Sequence, residues 1–446
     1  MTDGDPPDPP DLPELEPAVA ATSQRGGLGG LLRRHALDLR PLRHREFRLL
    51  WSGQAVSFMG SQITYIAVKF QIYQLTRSSL AVGLMALCEL VPLLTMSFVG
   101  GALADAADRR RLFVRAEVAL TFVTVFLLAN SLLGDDAWIW PIYVLVAFAA
   151  GLDGLGRPSL WALVPRLVDK EELPAATALH SLYVNLGAVG GPALGGLLIA
   201  SLGLPGTYAL DVLSFAVSLA TLRLMKATPP PDDAERPSLR SVAEGFRYAR
   251  SQPVLMGTYL IDFNAMVFGM PSALFPELAA NRFAASGLAE ATVYGLLAGA
   301  PAAGALVGTL TSGWVRRVRR HGLAIVWSVV AWGVAITLFG LSTSLWVALP
   351  LLAVAGAGDF VSATFRSTIW NQTIPDKLRG RLAGIELANV ASGPLLGDLE
   401  AGVVSRLAGP RVSIVSGGLA CLAGAGVLAL LLPEFLRYRS EHGGET

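Results

Sequence analysis

Charge is scarce in this chain: only 15% of its 446 residues are Asp, Glu, Lys or Arg, whereas 53% are hydrophobic. A soluble protein this apolar would expose patches that aggregate. Cysteine is nearly missing. Cys88 and Cys421 stand far apart inside apolar stretches with no ligand spacing around them, so both read as inert packing residues. The five histidines, His35, His44, His180, His321 and His442, show no paired spacing, and no metal site is expected. No glycine-rich loop precedes a Lys-Ser or Lys-Thr pair, and no serine-nucleophile motif occurs. Neither an ATP-driven pump, an enzyme nor a resident cofactor is therefore expected.

What is present is length without polarity. Twelve apolar stretches run over 49–75, 80–104, 112–133, 138–162, 175–202 and 206–225, then over 254–280, 291–315, 322–341, 345–365, 382–407 and 412–433. A helix crosses a hydrocarbon core of roughly 30 Å in about 20 residues, so each stretch is long enough to span. A backbone in lipid must satisfy its own hydrogen bonds, and the alternation of a membrane barrel is absent; the expected fold class is all-α with 12 transmembrane helices.

Basic residues divide by alternate connections. Of the 35 Lys and Arg, 30 fall in the set of connections that includes both ends, 4 in the other set, and the last is Lys69 within a span. The positive-inside rule then places both termini in the cytoplasm. Topology accounts for these cations, which leaves no basic face for nucleic acid. Trp138, Trp140 and Trp346 fall at the outer surface, and Trp51, Trp161, Trp314 and Trp370 at the inner one, as an aromatic belt requires.

Five regions follow. Residues 1–44 form a cytoplasmic arm, of which Met1 to Gln24 is too poor in bulky apolar residues to order itself, and no cleavable signal is expected. Residues 45–226 and 254–434 form two six-helix bundles joined by 227–253, and 435–446 is a cytoplasmic tail. Within the linker Leu239, Val242, Phe246 and Ala249 recur at helical spacing, with Arg240, Glu244, Arg247 and Arg250 on other faces. This reads as an amphipathic helix on the membrane surface, or else as a solvated linker helix. The halves echo each other at an offset of 202 residues: Gly187-x-x-x-Gly191-Pro192-x-x-Gly195-Gly196 aligns with Asn389-x-x-x-Gly393-Pro394-x-x-Gly397-Asp398. Related bundles around a long cytoplasmic linker are the layout of a rocker-switch transporter.

Two motifs carry conformational readings. Gly101-Ala102-Leu103-Ala104-Asp105 ends a span in small residues and an acid, and Arg109, Arg110 and Arg111 follow. Asp105 is placed to accept hydrogen bonds from a facing helix N-terminus, a contact available in one state only; the plain alternative is a solvated acid beside inside-positive residues. Gly187, Gly191 and Gly195 share one helix face, which permits close approach of a neighbour, and Pro192 permits a bend. That helix reads as a gate, or as tight packing alone.

These features resemble the major facilitator superfamily, whose loop between helices two and three follows G-x-L-A-D-R-x-G-R-R. Gly101, Leu103, Ala104, Asp105, Arg109 and Arg110 match it, while Ala106 and Asp108 depart from it. Gly187, Gly191, Pro192, Gly195 and Gly196 match the fifth-helix pattern that the superfamily associates with proton-exchanging exporters. From Phe47 to Pro433 the chain is similar to the branch of enterobactin (siderophore) exporters and macrolide efflux proteins, through Gln71-Ile72, Val82-Gly83-Leu84, Gly151-Leu152-Asp153-Gly154, Tyr294-Gly295-Leu296 and Leu310-Thr311-Ser312-Gly313. The resemblance implies a monomeric, multi-pass protein of the bacterial cytoplasmic membrane that exports an amphipathic small molecule against inward proton flow. A siderophore is favoured; multidrug or macrolide efflux is the alternative, and a non-transporting sensor or scaffold is the alternative of another class.

Ionisable groups deep in a bilayer are costly and mark function until a partner explains them. Asp153 is expected to pair with Arg157 one turn on, as a structural ion pair or a coupling site. Glu89 and Asp262 lie well inside their spans and are candidate proton carriers. Lys69 is expected to snorkel outward, with pairing to Glu89 or attraction of an anionic substrate as alternatives. Asp359, Asp398 and Glu400 are further candidates, whereas Glu117, Asp211, Glu277 and Glu386 are expected to meet headgroups near helix ends.

Overall fold

A computed structural model describes residues 38–106, 109–226 and 247–439, and among them every regular element is helical. The first half holds α1 (Arg45–Thr76), α2 (Ser79–Ala106), α3 (Arg109–Ser131) and α4 (Ile139–Leu163), then a run Leu173–Leu224 interrupted at Gly203. Gly203 has φ 70° and ψ 178°, a left-handed-side geometry that glycine adopts without a Cβ clash, and it divides the run into α5 before and α6 after. The second half holds α7 (Pro253–Gly269), α8 (Glu290–Leu310), α9 (His321–Leu341), α10 (Leu345–Thr373), α11 (Asp376–Ala408) and α12 (Pro410–Leu431). With the interrupted run counted twice, the described residues carry twelve long helices, and the all-α expectation holds.

Nine described segments are long and apolar enough to cross a membrane, with 170–224 counted once. Helices α1 and α11 fall outside that set. They carry Gln54, Lys69 and Gln71 on one and Asn389, Asp398 and Glu400 on the other, polarity that burial inside protein must compensate. The outside of the bundle is the reverse: Leu430 is 84% exposed, Leu407 81% and Trp140 77%, a surface that lipid tolerates and water does not.

Helix α1 packs on the α5–α6 run, α2 on α4, α8 on α10, and α9 on α10 and α12. Across the halves the extensive contacts are α5–α6 with α8, and α11 with α2. Of the five expected regions, residues 1–37, 227–246 and 440–446 lie outside the described residues. The last part of the expected arm forms a helical turn, Arg40–Arg43, with Pro41 buried, and His44 sits 3.0 Å from Glu172. From the linker, 247–251 is helical, with Ala249 buried and the Tyr248 hydroxyl donating to the Thr373 carbonyl at 3.3 Å.

Helix boundaries differ from the hydropathy reading where amphipathic turns extend a span. Helix α10 continues past residue 365 to Thr373, so Arg366 and Trp370 lie on it and are buried. Trp370 is packed between helices near the end of α10, and its Nε1 donates to the Thr258 hydroxyl at 2.8 Å. Trp138 and Trp346 are exposed.

Candidate functional site

A cavity of about 250 Å³ lies between the halves, lined from α1, α5, the end of α7, α8, α9 and α10. Tyr65, Lys69, Ser272, Phe275, Tyr294 and Trp332 are among its walls. The break of α7 shapes one end. After Gly269, whose carbonyl accepts from Trp332 Nε1 at 2.9 Å, Met270 and Pro271 leave the helix and Ser272–Leu274 forms a 3-10 turn. The first N–H groups of a helical turn have no internal acceptor. Ala273 uses its own to donate to Asp398 Oδ1 at 2.8 Å, and the Ser272 hydroxyl donates to the same oxygen at 2.6 Å.

Into this cradle comes a cation from the other half. Lys69 Nζ on α1 donates to Asp398 Oδ2 at 2.6 Å and to Ser272 Oγ at 3.1 Å, and lies 4.5 Å from the centre of the Tyr65 ring. Lys69 is 3% and Asp398 2% exposed. The expected snorkelling of Lys69 is thus overturned: a full counter-ion with two neutral donors behind it satisfies the ammonium in the interior, so it has no need to reach water. Lys69 was placed with Asp398 by neither spacing nor motif, because their separation in sequence is 329 residues.

The same end of the bundle holds further bridges between the halves. Gln74 Nε2 donates to Glu290 at 2.9 Å, Arg77 lies 3.9 Å from the same carboxylate, the Ser79 hydroxyl donates to Glu277, and Asn281 Nδ2 donates to the Tyr73 hydroxyl at 3.3 Å. Glu277 is therefore a partner of α2. Half-buried, it also lies 3.5 Å from the Ser405 hydroxyl of α11.

Two backbone crossings sit beside these contacts. A Cβ on Gly196 of α5 would stand 2.7 Å from the Gly295 Cα of α8 and closer still to the Ala291 carbonyl. A Cβ on Gly83 of α2 would stand 2.6 Å from the Asp398 carbonyl of α11. Gly196 and Asp398 are the aligned positions of the internal repeat. The remaining motif glycines turn elsewhere: Gly187 faces the Phe58 ring, Gly191 faces Gln62 and Gly195 faces Ile63, all on α1. Pro192 lines the cavity.

Other buried charges form separate groups. In the second half Arg366 of α10 pairs with Asp262 of α7, whose second oxygen accepts from Asn389 Nδ2 at 2.8 Å; Asp359 stands 3.9 Å from the guanidinium. In the first half Asp153 and Arg157 pair at 2.8 Å on α4, and this pair is accessible, with Arg157 exposed. Glu117 and Asp211 are 5% and 1% exposed, which corrects their expected headgroup location. Neutral donors hold both: Gln54 and Ser57 bond Glu117 at 3.3 and 3.5 Å, and Thr64 and Ser214 bond Asp211 at 2.6 and 2.9 Å. Hydroxyls and an amide from α1, with Ser214 of α6 itself, replace the water that a headgroup site would have supplied. Glu89 is 8% exposed on α2 and acts electrostatically on both Lys69 and Asp398.

The side chains of Asp105 and Arg109 and the surroundings of Gly101 lie outside the described residues. Arg110 is described, and its guanidinium donates to the Leu222 carbonyl at 2.5 Å, tying the start of α3 to the end of α6.

Long helices in two related halves, with an apolar exterior and a polar-lipped cavity between the halves, define a multi-pass membrane transporter of the major facilitator type. The model of the transmembrane secretion effector family matches residues 36–440, and the chain belongs to that family. It is 30% identical over 396 residues to the enterobactin exporter EntS of Shigella boydii serotype 18, a match that covers 89% of this chain and 94% of the relative. A POT family transporter in complex with 5-aminolevulinic acid superposes with TM-score 0.70 at 13% identity, covering 88% of this chain and 96% of that one. A bacterial homolog of the human lysosomal transporter Spinster, inward-facing and unoccupied, gives 0.69 at 15% identity, covering 91% and 100%.

Proposed function

We propose that this chain is a secondary active exporter of an amphipathic small molecule of the siderophore type, working by alternating access in the bacterial cytoplasmic membrane and driven by inward proton flow. The observation that carries the reading is the cavity between the halves, walled at one end by the Lys69–Asp398 pair and the glycine crossings. The positive-inside reading of the basic residues supports cytoplasmic termini, and on that reading the bridged end faces outward. Residues 45–226 and 254–434 move as two bundles about the cavity, with 227–253 as their cytoplasmic tether. Similarity to the enterobactin exporter over most of both chains supports export and a siderophore cargo.

A contact that differs between two states shifts their populations, whereas one common to both does not. Asp105, Arg109 and Arg110 supply such a contact at the cytoplasmic end in this reading, and Asp153, Glu89 and Asp262 are the coupling candidates. Purified protein in liposomes, given an imposed pH gradient and iron-free enterobactin, is expected to accumulate the siderophore against its gradient. A deletion strain starved of iron is expected to retain the chelator. Loss of macrolide resistance alone in that strain would favour drug efflux, and absence of gradient-driven flux for any cargo would favour a non-transporting role.

A further inference from the structure

We propose that Lys69 is the anchor for an anionic group borne on an aromatic ring of the cargo, and that this anion takes over Lys69 from Asp398 and so releases the bridged end. The inference deepens the exporter reading and rests on it for the word cargo.

The argument starts from an asymmetry in how the two ions are held. Asp398 accepts from Ser272 Oγ and the Ala273 N–H, both in its own half, as well as from Lys69. Removing Lys69 leaves that carboxylate with two donors. Lys69 has less reserve: its hydrogen bonds of normal length go to Asp398 and Ser272, both in the opposite half, and from its own half it has Tyr65 and, at longer range, Glu89. Parting the halves costs Lys69 its ion pair, while Asp398 keeps two donors in its own half. Losing a charge-assisted pair is costly even where water enters, so a new anion at Lys69 favours separation at this end. Glu89 is the nearby acid on the same half, yet it forms no ion pair with Lys69 among the described contacts.

The cavity side of Lys69 shows what that anion is attached to. Tyr65, Phe275, Tyr294 and Trp332 present aromatic surface there. Tyr294 is 1% exposed, stacks on Phe70 with ring centres 5.9 Å apart, and has a hydroxyl with no hydrogen-bond partner among the described residues. A buried hydroxyl without a partner is an available donor. An ammonium, a free phenol and flanking rings together fit an aromatic acid or acidic phenol, with its oxygen on Lys69 and its ring between aromatic faces.

The test uses full-length protein with benzoate and its neutral isostere benzamide. Spin labels at Leu133→Cys and Ser344→Cys, exposed positions on the bridged end of either half, report separation in a background with Cys88→Ala and Cys421→Ala. A charge-assisted contact predicts that benzoate binds about tenfold or more tightly than benzamide. Benzoate is expected to lengthen the label distance and benzamide to leave it. Lys69→Met should bring the affinity ratio near one and lengthen the distance without ligand, while Lys69→Arg should keep the preference. Asp398→Asn should lengthen the distance but retain the preference. Equal binding of the two probes, a preference that survives in Lys69→Met, or no lengthening with benzoate overturns the inference. So does equal lengthening without ligand in the parent protein, the result expected if Glu89 takes over the cation. Anion-dependent opening without siderophore flux would refute the exporter reading alone, and flux without anion preference would refute this inference alone.

Discussion

Adding one methyl group at Gly196 tests whether the α5–α8 crossing holds the bridged end shut. The new carbon would stand 2.7 Å from the Gly295 Cα and 3.0 Å from its nitrogen, with the Ala291 carbonyl nearer still. Those neighbours are backbone, so no rotamer change relieves them and the helices must separate. Ala also raises helix propensity by about 1 kcal/mol over Gly, but that gain is common to both conformations and cancels between them. The overpacking cost, about 1 to 3 kcal/mol, falls on the bridged form alone, and shifts the equilibrium toward the parted form by about 5- to 150-fold. Ala298→Cys places a thiol in the cavity wall; in a background lacking Cys88 and Cys421, an impermeant maleimide added outside intact cells reads the parted population as a labelling rate. Gly196→Ala should raise that rate by the same factor. Gly426→Ala, whose added carbon meets nothing within 4 Å, should leave it unchanged. A labelling rate in Gly196→Ala equal to that of the control would remove the crossing as a seal.

Three further outcomes are expected. Arg366→Met removes one partner of a buried pair and leaves Asp262 with Asn389 alone, so thermal unfolding should reveal a loss of about 3 to 5 kcal/mol, largely restored by adding Asp262→Leu; a melting temperature unchanged in the single variant would contradict the pairing. Asp105→Asn should reduce siderophore flux strongly at normal membrane expression, and flux near the parent level would remove the acid from the conformational cycle. Neutralising Asp153, Glu89 and Asp262 one at a time should uncouple flux from the pH gradient at one of them; gradient-driven flux persisting in all three variants would place coupling elsewhere.

The spans were legible because lipid imposes one rule on every outward face, and an apolar run reports that rule directly. The site was less so. Lys69 looked like a snorkelling cation because hydropathy reports depth along a helix but not the neighbour across it, and Asp398 comes from the far end of the chain. Arg366 seemed to follow a span ending at residue 365, since an arginine lowers local hydropathy whether it meets water or Asp262. Glu117 and Asp211 misled in the same way: the Gln, Ser and Thr side chains that hold them are too common to signal a partner. The Asp153–Arg157 pair was readable because its spacing along one helix fixes the geometry locally.

The internal repeat puts a bare glycine and an aspartate at matching places, Gly196 against α8 and Asp398 against α1 and α2. Duplicated halves would otherwise come apart evenly on both flanks. Here one flank meets through bare backbone at Gly196, and the other through an ion pair at Asp398. The two flanks of the interface are thereby fastened by different chemistry, close packing on one and charge on the other, and the difference traces to a position where the repeat departs from its own symmetry.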